Sequence, residues 1–388
     1  MFPTGNTDNF IKAMEPSLDA GNQIVRMLYE TTQLQSDRFL FDPKDIRVIP
    51  FINRAYSGGI GTALPYIVTP RWGYTQSWAW PGYAHELGHH IYRNIKGLAE
   101  ELHARLTTHL VFMGQNKIRL GLWYQWQEEI IADIFAVTLL GSTFVHTQQY
   151  ASFSGIGPSS LQRLGKKEDA RKALLFALDD EHPMAYLRVH LGLTALSLLG
   201  ADPTEVNMLT GQWYSSFPSN LPIKLRADVT KSDDKRYLGI DLGNQNLKQT
   251  GEQLVGMILH MPLDSLADSM GQARSFKDVF YRKTDQDSIA EAIKMCKETI
   301  NLPNVSIDEI PRQILENVKR NCALNIGAII ATSVCAFELL NIEQFQKLNK
   351  ELIKYVGDLS TIDDRAELQP IKSVVDNLSP LCQSNRLS

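Results

Sequence analysis

Residues 85–90 read His-Glu-Leu-Gly-His-His, and no other stretch constrains this chain so tightly. His85 and His89 stand four positions apart, so on a helix their imidazoles leave one face, one turn apart. Two neutral imidazoles so placed can grip a Zn²⁺ ion, and Glu86 beside them can take a proton from a water. The segment is therefore expected to be helical. It also needs a second element packed across it, because zinc in a hydrolase takes three protein ligands and keeps one position open.

The third ligand is sought on a separate element. Glu129-Ile-Ile-Ala-Asp133 lies forty positions after His89, on an otherwise apolar stretch from Leu122 to Leu140. Two acids four apart on the inner face of a buried helix are costly unless they are paired or bind metal. Glu129 is the expected ligand, and Asp133 the acid that accepts a proton from a ligand His and fixes its tautomer. Glu128 competes for the ligand role, but no Asp stands four residues after it. A third segment, His182-Pro-Met-Ala-Tyr-Leu-Arg188, offers a His that over the zinc would stabilise an oxyanion. Arg188 is free to pair with Asp133 or with another buried acid and hold the helices in register.

The order His-Glu-x-x-His, Glu-x-x-Ala-Asp-x-x-Ala, His-Pro-x-x-x-x-Arg resembles the gluzincin metallopeptidases of the HtpX and CAAX-prenyl-protease type. The resemblance implies His85, His89 and Glu129 as zinc ligands, Glu86 as general base and Asp133 as support for a ligand His. It places His182 near the oxyanion and gives Arg188 a structural pairing. It covers roughly residues 78–195. Unlike the membrane members, this chain has no expected transmembrane helix: its longest apolar run, Ile326 to Leu340, holds Thr332, Ser333 and Glu338 and falls short of a span of about 20 residues.

Composition narrows the partners. With 39 basic and 43 acidic residues the net charge is −4, which gives no electrostatic reason to expect nucleic acid or an anionic membrane. Met1 to Asn6 lack a basic region followed by an apolar stretch, so no signal peptide is expected and the protein reads as soluble and cytoplasmic. Cys296, Cys322, Cys335 and Cys382 form no Cys-x-x-Cys pair and read as reduced, mostly buried thiols.

The expected fold class is α+β, mainly α. Helices are expected over 8–36, 81–95, 98–112, 122–140, 169–178 and 184–199. Strands are expected over 46–52 and 64–69 around the turn-rich Ser57 to Gly61. The strand at 64–69 could offer an edge to an extended peptide or be buried. Residues 1–200 are expected to form a zincin-like domain with a small β-sheet, 201–250 an irregular linker, and 251–388 an all-α domain with a regulatory or substrate-recruiting role. His90 reads as lying behind the ligands or facing solvent, and the other histidines as structural. Trp78, Trp80, Trp123 and Trp126 read as core.

The expected activity is zinc-dependent cleavage of peptide bonds in an intracellular protein or peptide. Two other readings stand beside it: a peptidase silent until a partner or ligand engages the C-terminal domain, and a non-catalytic zinc-binding protein.

Overall fold

Pro81 opens the motif helix at its first position, where a missing N–H costs nothing, and the chain turns extended at Ile95. In the computed structural model this helix sits at the centre of a mainly helical molecule with two small three-stranded sheets. The structure describes residues 7–32, 34, 36–40, 45–51, 57–59, 66–70, 75–154, 174–177, 182–217, 223–228, 237–241, 243–302, 305–322 and 325–359.

In chain order the elements are α1 (Thr7–Glu30), β1 (Arg47–Phe51), β2 (Ser57–Gly59), β3 (Tyr66–Pro70), the motif helix α2 (Pro81–Asn94), α3 (Leu98–Phe112), α4 (Lys117–Leu140) and α5 (Ser142–Ser154). There follow β4 (Leu174–Ala177), α6 (Ala185–Leu199), α7 (Pro203–Ser216), β5 (Ile223–Asp228), β6 (Tyr237–Asp241) and α8 (Asn244–His260). The last third holds α9 (Phe276–Phe280), α10 (Lys283–Ile300), α11 (Ile310–Asn321), α12 (Ile326–Leu339) and α13 (Ile342–Asp358). Among the described residues no helix is long and apolar enough to cross a membrane.

Helix ends follow local chemistry. Asn116 caps α4 by accepting from the Arg119 N–H, and Ser275 with Asp278 forms a capping box on α9. Gly97, at φ 80°, makes the left-handed turn that separates α2 from α3.

The first sheet runs β1-β3-β2, with β1 parallel and β2 antiparallel to β3. The described part of the strand expected over 64–69 is β3, central in its sheet, with β1 along its full length on one side and β2 along Tyr66–Val68 on the other. Its Tyr66 carbonyl accepts from His90 Nε2 at 3.1 Å, which ties the sheet to α2.

Two expectations change. Part of the helix expected over 169–178 is the strand β4, and the rest of that span lies outside the described residues. Leu174-Leu-Phe-Ala177 is too short for its periodicity to separate helix from strand, and its partner β5 comes about fifty residues later. The stretch 201–250, expected to be irregular, carries α7, β5, β6 and the start of α8. Asp202 caps α7 and Pro203 takes its first position, a start signal that reads equally well as the end of the preceding helix.

One hydrophobic core runs from Ala20 in α1 to Val356 in α13. The C-terminal helices grip the turn that launches α2. Asn349 of α13 accepts from the Ser77 N–H at 2.6 Å and donates to the Thr75 carbonyl at 2.8 Å. Trp78 stacks on Phe337 of α12 with ring centroids 4.8 Å apart.

Candidate metal centre

Helix α2 carries His85, Glu86 and His89, and α4 crosses it with Glu128, Glu129 and Asp133. The crossing is close because of Gly88. A Cβ built there would lie 2.7 Å from the Cα of Ala132, so only glycine lets the two backbones meet at that point. The contact sits between the two histidines of one helix and one residue short of Asp133 on the other.

Three candidate ligand residues converge beside it. His85 Nε2 and His89 Nε2 are 3.2 Å apart. Glu129 Oε2 lies 3.3 Å from His85 Nε2, and Glu129 Oε1 lies 3.3 Å from His89 Nε2. Among the described residues these three form the group able to hold a metal ion. With one atom taken from each residue, the three candidate ligand atoms lie within 4.8 Å of one another, close enough to share one ion.

The outer ring atoms fix the tautomers. His89 Nδ1 is 2.8 Å from Glu128 Oε1, and His85 Nδ1 approaches Asp133 Oδ1 obliquely at 2.9 Å. Glu128 is placed to accept a hydrogen bond from His89 Nδ1–H, whereas His85 Nδ1 lies beside Asp133 without hydrogen-bond geometry; with the protons on Nδ1, both Nε2 atoms face the shared point. Two lone pairs and a carboxylate within 3.3 Å repel one another unless a cation or protons lie between them. Glu129 Oε2 and Glu86 Oε2 are buried with no hydrogen-bond partner, the kind of acceptor a cation and its ligand sphere would satisfy.

Titration follows the same charges. Burial works against a charged His89, but hydrogen bonds to Glu128 and Glu129 outweigh it and lift the ring to about 10. His85 is raised too: burial opposes its charge, and Asp133 and Glu129 prevail. Burial pushes Glu129 up, yet the adjoining His85 and His89 rings and the Arg188 guanidinium hold it well below the usual carboxylate range. A bound cation takes the place of the protons these carboxylates otherwise keep on the rings. Glu86 is raised, chiefly by its own burial.

Arg188 of α6 closes the far side. Its Nε and Nη2 fork onto Asp133 Oδ2 and Oδ1, both at 2.7 Å, and Nη2 lies 3.6 Å from Glu129 Oε2. The guanidinium holds Asp133 below its ordinary range against the opposing effect of burial. His182, just before α6, places Nε2 at 3.3 Å from Glu129 Oε1, with its side chain 39% exposed. It stands at the rim of the centre, outside the three-ligand group.

Other expectations resolve by placement. Glu128 lies behind His89 and Glu129 lies at the shared point. His90 is buried, not solvent-facing, and burial lowers it to about 4, so it is a neutral tie to β3. The four tryptophans are buried in the core. His103, His146 and His190 contact Gln127, Glu338 and Glu252. Sequence reasoning passed over Gly88 and Ala132, whose small size inside two chemistry-bearing segments was the available signal. No protein-family model, curated protein or solved structure matches this chain.

Proposed function

We propose that this chain is a zinc metallopeptidase of gluzincin type, built on a zincin-like arrangement and acting on an intracellular protein or peptide. One observation carries the reading: the Nε2 atoms of two histidines and a buried carboxylate converge closely enough to share one metal ion, beside a buried glutamate whose Oε2 makes no hydrogen bond. His85, His89 and Glu129 would hold the ion. When bound, it supplies Lewis acidity toward a carbonyl oxygen and a water.

The other steps belong to side chains. Glu86, with its raised pKa and free Oε2, accepts the proton of the attacking water and later gives it to the leaving amine. His182, on the open rim beside Glu129, donates to the developing oxyanion. Asp133, held by Arg188, fixes His85.

Glu86 favours an enzyme over a purely structural zinc protein, because a structural site needs no base and closes its fourth position. A regulated form of the same peptidase draws support from α12 and α13, which hold the turn leading into α2.

The test is direct. Purified protein is expected to carry one zinc per chain by elemental analysis. Glu86→Gln is expected to keep that zinc and lose cleavage, read as new protein N-termini present with wild type and missing with the variant. A protein without stoichiometric zinc overturns the reading.

A further inference from the structure

The two ligand histidines are each backed by a carboxylate, and each carboxylate is backed by an arginine. His85 is followed by Asp133 and Arg188, and His89 by Glu128 and Arg93. The resemblance noted in the sequence accounts for the first relay and is silent on the second. We propose that Glu128, anchored by Arg93, is the positioning residue of His89. This rests on the metal-site reading above.

The helix geometry explains the division of labour. Adjacent residues on a helix point about 100° apart. With Glu129 aimed between α2 and α4, Glu128 is turned to the outer side of His89. Arg93 stands one turn after His89 on the same face of α2, so its guanidinium reaches the oxygen that His89 Nδ1 also contacts. Glu128 therefore accepts a hydrogen bond from Nδ1–H, holds the ring plane and makes Nε2 the better donor to an ion.

The relays differ in exposure. Asp133 and Arg188 side chains are 5% and 18% exposed, whereas Glu128 and Arg93 are 28% and 41% exposed. The His85 relay is sealed in the core. The His89 relay reaches the surface, where a change of residue disturbs the ion without leaving a fully buried charge unpaired.

The experiment measures zinc affinity by chelator competition and the visible spectrum of the cobalt(II)-loaded protein, for wild type, Glu128→Ala and Glu128→Gln. Glu128→Ala is expected to weaken zinc about 10- to 100-fold with the cobalt band pattern of the same ligand set. Glu128→Gln keeps an oxygen acceptor for Nδ1–H and is expected to lose only about 3- to 10-fold. It also stands in for the test if Glu128→Ala does not fold, and unchanged affinity in it overturns the proposal. Affinity unchanged in Glu128→Ala, or lost equally in both variants, overturns it as well. A cobalt spectrum showing one ligand fewer overturns it by making Glu128 a ligand. Wild type that binds no zinc sinks the metal reading itself. Zinc-binding wild type with an indifferent Glu128→Ala sinks this inference alone.

Discussion

Of the helix pairs that pack closely over a glycine among the described residues, α2–α4 and α10–α12 differ most plainly in the chemistry they bury. In the α2–α4 pair Gly88 meets Ala132, and Glu86, His89, Glu129 and Asp133 are buried around the contact. In the α10–α12 pair Gly327 meets Ile289, and the filling is Ala292, Cys296, Ala328, Ala331, Thr332 and Cys335. The polar groups of the second pair are satisfied locally, with the Thr332 hydroxyl donating to Ala328 O and the Cys296 thiol to Thr332 O. Burying ionised groups is far more costly than burying thiols or methyls. The first pair tolerates its charges because they neutralise one another in chains, and it leaves His85, His89 and Glu129 as a group that could hold one ion. Close packing alone therefore carries no functional signal, and the chemistry of what is packed does.

The largest effect that would break this contrast is loss of the ion. Glu129→Ala is expected to abolish stoichiometric zinc by elemental analysis, while Cys335→Ala in the other pair leaves it intact. Retained zinc in Glu129→Ala would remove the reason for the first pair's charges.

Next in size is Asp133→Ala, which strands the Arg188 guanidinium. It is expected to cost about 3–5 kcal/mol in denaturant unfolding, with much of that recovered when Arg188 is also replaced by Met. A cost near zero would mean that the buried pair adds nothing to holding α4 against α6.

Glycine replacements sharpen the comparison further. Gly88→Ala sets a methyl against backbone and is expected to cost about 1–3 kcal/mol and to lower zinc affinity with it. Gly327→Ala meets the tip of the Ile289 side chain at 3.0 Å, which can swing aside, so a cost under about 1 kcal/mol is expected with zinc unchanged. The smallest effect is that of Cys335→Ala on stability, about 1 kcal/mol by thermal melting, from lost packing. Cys296, Cys322 and Cys335 are free and buried, and Cys382 lies outside the described residues.

Much of the helical frame is legible residue by residue. Leu98–Phe112 forms over the span its pattern predicts, and Pro81 and Gly97 bracket the motif helix. The spacing of His85 with His89 and of Glu129 with Asp133 is local, so helix geometry alone puts each pair on one face. What escaped is non-local. Strand β4 exists because β5 pairs with it, and β3 lies in the middle of its sheet because β2 returns beside it. No periodicity within four or five residues encodes a partner that distant.

By itself the sequence determined the histidine pair, the acidic segment that had to supply a third candidate ligand, the helices that carry them and the order of the three segments, since these follow from 3.6-residue periodicity and capping. Only the tertiary structure decided that Glu129 points inward and Glu128 outward. The two are neighbours on one helix, and their roles depend on how α4 is rotated against α2. That rotation is set where Gly88 admits Ala132, a contact between segments more than forty residues apart. It is also the tertiary structure that brings α12 and α13 onto the turn before the motif helix, since burying one continuous core requires the last helices to close over the first.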